Sequence, residues 1–192
     1  MELLKDCILK QVSIDTASLE KILSMFESEE LKKGDYFLQS GTVCRKMAFI
    51  ETGYLRMYDI ADGKEITLWI GSSGKFITSI SSYVFQTGSI WNIQALTDCK
   101  LHVITKDKHL LLGEQEPKWL EFDNLLLARS FALLEQGAFA HLHTTAQQRF
   151  DALMKNEPDL FLNVPQQHIA SMLGIAPESL SRLRKNLARS IS

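Results

Sequence analysis

Cysteine is scarce in this chain: only Cys7, Cys44 and Cys99 occur, far apart and never as a Cys-x-x-Cys pair. One chain therefore supplies neither a zinc ribbon nor a four-thiolate iron–sulfur site, and buried free thiols are expected. Long hydrophobic runs are also lacking, since no segment approaches the ~18–20 apolar residues that cross a bilayer. Residues 1–10 do not have the layout of a signal peptide, so we expect a cytoplasmic protein without membrane contact.

The chain also lacks a strong excess of either charge. Its formal net charge of −2 at pH 7 disfavours nucleic-acid binding over the whole surface. From Thr145 onward, however, six basic residues stand against four acidic ones, so this segment is +2 and the preceding one is −4. With 45% hydrophobic and 23% charged residues, the chain is expected to fold around a core.

Residues 33–105 have the pattern of short strands. Glycines separate runs that are rich in β-forming residues, and no helical crossover lies between the runs. Asp62-Gly63 predicts a hairpin, because both residues tolerate a positive φ. We therefore predict an antiparallel sandwich or barrel. A short helix, capped by Asp15, is predicted before it over residues 15–30.

After Pro117 the hydrophobic spacing changes to that of a helix about 25 residues long. One apolar face is formed by Leu120, Leu127, Phe131, Leu134, Ala138 and Leu142. A second apolar face includes Phe122, Leu126 and Leu133. A helix with two apolar faces must bury both, and we predict that one packs on the barrel and the other on a second copy. The alternative is a single helix packed within the core.

Residues 166–183 have the spacing of a helix-turn-helix. Ile169 and Leu173 are expected to face inward, and Ala170 is small where two helices cross. Gly174 provides the left-handed conformation that ends the first helix. Pro177 suits the first turn of a second helix, where its missing N–H would be unpaired anyway. An ordinary helical hairpin is the alternative interpretation.

The second helix places polar residues on its outward face, at Glu178, Ser181, Arg182 and Lys185. Such a face fits a major groove. Arg182 can donate two hydrogen bonds to a guanine, and Glu178 can accept one from a cytosine amino group. Four further residues are predicted to contact phosphates, namely Gln166, Gln167, Ser179 and Arg184.

With these residues in view, the chain resembles the Crp/Fnr family of bacterial transcription regulators, in the form common in Bacteroidetes-type members. The resemblance rests on residues 149–154, Pro158 and residues 173–185, and on a weaker β-domain pattern at residues 33–35, Gly41, residues 49–53, Arg56 and residues 63–65. It covers nearly the whole chain. It implies base contacts by Glu178 and Arg182.

The resemblance also implies an α+β chain in three parts. Residues 1–115 would form a sensor domain, an antiparallel β-roll (jelly-roll) of the cyclic-nucleotide-binding type. Residues 116–143 would form a long dimerisation helix. Residues 144–192 would form a small all-α helix-turn-helix domain whose β-hairpin wing is truncated or absent, because the chain stops at Ser192.

Family members that bind cyclic AMP carry a Phe-Gly-Glu segment for the ribose and a later Arg-Thr or Arg-Ser for the phosphate. Here residues 74–79 are Gly-Lys-Phe-Ile-Thr-Ser and residues 88–92 are Gly-Ser-Ile-Trp-Asn, without that Glu or Arg. A buried phosphate needs a cationic partner, so we predict an effector other than cyclic AMP. Ala176 also stands where a Ser or Thr would cap the second helix, a loss of roughly 1 kcal/mol.

The nature of the effector site stays open. Thr78, Ser81 and Ser82 could line a pocket with Phe76 and Trp91, but turn-forming residues of this kind also suit an ordinary loop. No metal or other cofactor is predicted. His141 and His143 point about 200° apart on a helix and cannot share one ion.

Three functions are compatible with these patterns. The first is a homodimeric, effector-responsive regulator that binds a near-palindromic operator in double-stranded DNA. The second is an effector-binding module whose DNA-binding domain is degenerate and which acts through a protein partner. The third is a cupin-like enzyme, which the lack of clustered His and Glu ligands on the predicted strands disfavours. We therefore expect no enzymatic activity.

Overall fold

The computed structural model describes the backbone of residues 1–191 and the side chains of residues 1–187. Ser192, the end of the predicted C-terminal domain, lies outside the described residues. The helices are α1 (Glu2–Leu9), α2 (Thr16–Ser24), α3 (Ile80–Phe85), α4 (Lys106–Gln115), α5 (Pro117–His143), α6 (Ala146–Asn156), α7 (Leu160–Asn163), α8 (Gln166–Met172) and α9 (Pro177–Ile191). The strands are β1 (Glu27–Leu31), β2 (Tyr36–Leu38), β3 (Lys46–Thr52), β4 (Leu55–Ala61), β5 (Lys64–Gly71), β6 (Phe76–Ile77), β7 (Asn92–Ala95) and β8 (Cys99–Thr105).

The strands form two four-stranded sheets, with the orders β1-β8-β3-β6 and β2-β7-β4-β5. Every strand pair is antiparallel, as predicted. Asp62 and Gly63 form the turn of the β4–β5 hairpin, and both have a positive φ, of 52° and 72°. The predicted hairpin is therefore confirmed, and it leaves β5 at the edge of its sheet.

The predicted helix over residues 15–30 is wrong beyond Ser24. Asp15 caps α2 by accepting a hydrogen bond from the Ser18 amide, as expected. Residues 27–31, however, form β1, which pairs with β8 from Glu27 opposite Val103 onward. Pairing with a distant strand overrides the local helical spacing here, because strand preference depends on tertiary context. The short helices α1, α3 and α4 are also absent from the sequence-based prediction.

The main core lies between the two sheets and is closed by α1, α2 and the first half of α5. Trp119 and Phe122 are the α5 residues buried in it. Leu133, predicted to share an apolar face with Phe122, is 66% exposed in the single chain. The reason is the length of α5, which has 27 residues. Its second half extends past the part of the helix that packs on the two sheets and their connections, residues 27–105, which we call the β-domain.

A second core joins the C-terminal helices to the β-domain. It contains Phe150, Leu160, Phe161, Val164, Ile169, Ala170, Leu173 and Leu180 from the helical segment. Ile70 and Leu96 of the β-domain are buried in the same cluster. The helices α6 to α9 are therefore packed against the sheet that carries β5, and α8 lies next to β5 itself.

Candidate nucleic-acid interface

The helices α8 and α9 pack together through apolar residues, and these are the residues that the sequence pattern predicts to face inward. Ile169, Ala170 and Leu180 are completely buried, and Leu173 is nearly so. Gly174 ends α8 with a φ of +67°, a conformation that favours glycine. The carbonyl of Ala170 accepts a hydrogen bond from the amide of Ile175, which closes the turn. These contacts pack α8 against α9, and the assignment of the pair to a helix-turn-helix stays a prediction.

The outward face of α9 is open to solvent. Glu178, Arg182 and Lys185 are exposed, and Ser181 is half-buried. At 100° per residue these positions lie on one side of the helix, opposite the side that carries Leu180. The structure thus brings the four predicted base-contacting side chains onto one surface.

The four residues predicted to contact phosphates are placed less uniformly. Gln166 and Gln167 are exposed in the first turn of α8, whereas Ser179 and Arg184 are half-buried. Ser179 and Arg184 lie on opposite flanks of the outward face of α9, since they are five residues apart. Ser179 and Arg184 therefore flank the α9 face, whereas Gln166 and Gln167 lie on α8.

Arg149 connects the α8–α9 pair to the end of α5. Its guanidinium donates to the carbonyl of Leu173, at 3.1 Å, and to the carbonyl of Thr144, at 2.6 Å. Leu173 is the last residue before the α8–α9 turn, and Thr144 is the C-cap of α5. Thr145 caps α6 in a reciprocal arrangement with Gln148. One arginine therefore connects the turn, α5 and α6.

The predicted effector residues lie around α3. Phe76 packs in the core, with its ring 5.1 Å from Phe49 and 5.8 Å from Phe122. Ser82 is buried, where its hydroxyl accepts from the Cys44 amide and donates to the Thr87 carbonyl. The Thr78 hydroxyl donates to the carbonyl of Lys46 at 3.1 Å.

The other two members of this group are Ser81, which is exposed, and Trp91, which is half-buried. The hydroxyls of Thr78 and Ser82 are thus already hydrogen-bonded within the fold. A cavity of about 610 Å³ is lined by residues 34–39 and 42–46, which include Cys44 and Lys46, the hydrogen-bond partners of Ser82 and Thr78. The assignment of Phe76, Thr78, Ser81, Ser82 and Trp91 to an effector pocket stays a prediction.

Sequence reasoning missed a polar contact between α8 and β5. Ser171 hydrogen-bonds to the β5 backbone, and behind it Arg56 is buried with 1% of its surface exposed. The one signal in the sequence is Arg56 itself, a lone cation in the strand segment 55–58. Burial, and secondarily the charge of Arg56, lower the pKa of the nearby His168 below its usual 6.5.

Among residues 1–191, no helix is both long and apolar enough to span a membrane. Within the same part of the chain, no group of three or more His, Cys, Asp or Glu side chains is arranged to hold a metal ion.

The β-rich part of the chain matches one known protein family. Residues 28–115 match the cyclic nucleotide-binding domain family. A search of curated protein sequences gave no significant match. Many solved structures are similar to the chain, and several of them are bacterial regulators.

One similar structure is CLP of Xanthomonas campestris, described as a c-di-GMP-responsive global regulator, with 16% identity, coverage of 92% of this chain and 93% of that one, and a TM-score of 0.68. FixK2 from Bradyrhizobium japonicum has 14% identity, coverage of 86% and 85%, and a TM-score of 0.76. A chain from Eubacterium rectale assigned to the Crp/Fnr family has 20% identity, coverage of 92% and 85%, and a TM-score of 0.66.

These identities are low, so the similarity establishes the fold and no more. The chain has an antiparallel fold of the cyclic-nucleotide-binding type with several helices, one of them long, and its structural neighbours include Crp/Fnr-type regulators.

Proposed function

We propose that this chain is a sequence-specific DNA-binding transcription regulator of the Crp/Fnr type, controlled by a small-molecule effector other than cyclic AMP. The observation that carries the proposal is the outward face of α9, where Glu178 and Arg182 are exposed one helical turn apart. The opposite side of α9 is fixed by the buried Leu180. A rigid helix with an exposed acid and an exposed arginine on one face has the chemistry for base recognition in a major groove.

In this proposal α8 and α9 act as a helix-turn-helix. Arg182 donates to a guanine and Glu178 accepts from a cytosine amino group, while Ser181 and Lys185 extend the same face. Gln166, Gln167, Ser179 and Arg184 hold the backbone phosphates that set the register of the helix on the duplex. No residue is assigned a catalytic role.

The proposal includes a homodimer formed through α5. Several apolar side chains on one side of this helix are more than half exposed in the single chain, among them Leu127 and Phe131. Two copies joined there would present two α9 helices, so the operator should be a near-palindrome with half-sites about one helical turn apart. Residues 1–115 would then be the sensor, 116–143 the dimerisation helix and 144–192 the DNA-binding domain. A cytoplasmic location and a Bacteroidetes-type origin stay predictions.

Selection of bound duplexes from a randomised double-stranded DNA library tests the proposal. We expect the parent protein to enrich a near-palindromic sequence. On that duplex, Arg182→Ala should weaken binding by roughly 1–3 kcal/mol and relax the preference at one base position per half-site. Arg45→Ala, which removes an exposed arginine of the β-domain, is the matched control and should bind like the parent.

Two outcomes contradict the proposal. If Arg182→Ala binds the selected duplex as tightly as the parent does, α9 is not the recognition helix. If the parent enriches no duplex, the alternative of an effector-binding module that acts through a protein partner takes its place.

A further inference from the structure

The edge strand β5 is completed by a side chain of α8. Within residues 1–191, β5 pairs with β4 on one side and with no strand on the other. On the open side, the amide of Thr67 donates to the Ser171 hydroxyl at 2.9 Å. The same hydroxyl donates to the carbonyl of Glu65 at 3.2 Å. Ser171 thus supplies the acceptor and the donor that a neighbouring strand would otherwise provide.

The two β5 residues bonded by Ser171 also hold a buried cation through their side chains. The guanidinium of Arg56 donates to the Thr67 hydroxyl at 2.9 Å and to the Glu65 carboxylate at 2.6 Å. Arg56 is 1% exposed and Thr67 is 4% exposed. Because a buried charge is costly unless it is paired, this arrangement fixes the conformation of β5 at these two residues. Their backbone groups are therefore held in place for Ser171.

The other polar contacts between helices α6 to α9 and the β-domain are longer and run between side chains. The Ser72 hydroxyl donates to the Glu157 carboxylate at 3.3 Å, and Asn163 donates to the hydroxyl of Tyr54 at 3.4 Å. Lys75 pairs with Glu157 at 3.6 Å, with both side chains more than a third exposed. The apolar core around Ile70 also holds the helices against the sheet, through packing rather than hydrogen bonds. Ser171 bonds directly to backbone, whose position is fixed by the sheet.

We propose that Ser171 is the positioning residue through which the β-domain sets the orientation of the DNA-binding helices. This inference rests on the function proposed above. The packing of α8 on β5, which we call docking, leaves Glu178, Arg182 and Lys185 exposed. Ser171 therefore does not act by covering the surface that meets DNA. It acts by fixing α8, and with it α9, relative to the sheet. Each chain of the proposed dimer carries one DNA-binding head, formed by α8 and α9. Two heads held at a fixed angle bind a two-part site without a loss of orientational freedom on binding.

A positioning role and a purely stabilising role have different consequences for DNA. A half-site is bound by one head, whose own fold does not need Ser171. A full palindrome requires both heads at one spacing. Loosening the contact of Ser171 with Glu65 and Thr67, the α8–β5 joint, should therefore weaken full-site binding selectively. General destabilisation would instead lower the active fraction and weaken both measurements together.

The experiment compares three variants of the full chain with the parent. Ser171→Ala removes the hydroxyl, Ser171→Thr keeps it, and Ser24→Ala removes an exposed hydroxyl of α2 as a control. Hydrogen exchange of the Thr67 amide is measured without DNA. Affinity is then measured for the selected palindromic duplex and for a duplex that contains one half-site.

We expect Ser171→Ala to speed exchange of the Thr67 amide by roughly tenfold, because the bond that protects it is lost. Full-site affinity should fall roughly threefold to tenfold, in line with the loss of hydrogen bonds of ordinary strength, and half-site affinity should stay at the parent value. Ser171→Thr should restore protection and full-site affinity, and Ser24→Ala should match the parent.

Unchanged Thr67 exchange in Ser171→Ala would show that the joint does not exist in solution. Faster exchange with equal losses on both duplexes, or with no loss on the full site, would show that the joint does not position the heads. A parent that selects no duplex contradicts the proposed function, and the positioning role with it, while Thr67 exchange still reports separately on the joint.

Discussion

The guanidinium of Arg56 and the carboxylate of Glu65 form an ion pair of 2.6 Å across the neighbouring strands β4 and β5. The side chain of Arg56 is 2% exposed and that of Glu65 is 49% exposed, so the cation is buried while its partner reaches solvent. Arg56 also stacks on the ring of Tyr58, 4.0 Å from its centre. The buried charge therefore depends on Glu65 for neutralisation and on Thr67 for a further hydrogen bond.

Glu65→Gln should destabilise the fold more than a surface substitution does. It leaves the Arg56 cation buried without its counter-charge, and we expect the free energy of unfolding to fall by about 1–2 kcal/mol, less than for a fully buried pair because Glu65 is half exposed. Urea denaturation measures the difference. Glu30→Gln is the control, since Glu30 and Lys100 are both exposed and 3.9 Å apart, and it should change stability by less than about 0.5 kcal/mol. Equal effects of the two substitutions would contradict the importance of the buried cation.

His168 should make the α8–β5 joint sensitive to pH. In the docked state its pKa is lowered from 6.5, first by burial and then by the charge of Arg56, which the opposing effect of Glu65 does not cancel. The undocked form therefore binds the proton more readily than the docked form. Docking is at full strength above pH 6.5 and weakens as the pH falls through the lowered pKa.

Exchange of the Thr67 amide, measured at several pH values and corrected for the intrinsic exchange rate, provides the test. Protection should decline below pH 6.5 in the parent. His168→Gln cannot be protonated, and its protection should stay constant over the same range. A decline of equal size in both proteins would assign the pH dependence to another group.

Much of the β-domain was predictable, because its signals are local. Asp62-Gly63 defines a turn through its own backbone preferences, and Gly174 ends α8 for the same reason. The joint was not predictable, since the partners of Ser171 lie 104 and 106 residues earlier in the chain. A serine in an amphipathic helix has the same pattern whether it faces solvent or another part of the fold. Strand β1 was missed for a similar reason, because distant β8 determines its conformation.

Cyclic AMP should not bind with micromolar or better affinity. In residues 74–96 the only cation is Lys75, and it pairs with Glu157 at 3.6 Å. The Ser89 hydroxyl is engaged by Ser79, at 2.9 Å, and by the backbone of Trp91. A desolvated phosphate would have no free positive partner in this segment. Calorimetric titration is the measurement, with a cyclic-AMP-binding regulator as positive control, and a micromolar dissociation constant would overturn the prediction.

Substitution of Leu127 or Phe131 by Asp should convert the proposed dimer to a monomer. These side chains are 53% and 62% exposed in the single chain, and a charge in a helix–helix contact that buries them would lose its hydration without gaining a partner. Leu162→Asp is the matched control, because Leu162 is 79% exposed on α7, outside the α5 face. Sedimentation equilibrium should give the mass of two chains for the parent and for Leu162→Asp, and of one chain for Leu127→Asp. A parent that sediments as a monomer at micromolar concentration would contradict the dimer, and a Leu127→Asp variant that stays dimeric would place the contact elsewhere.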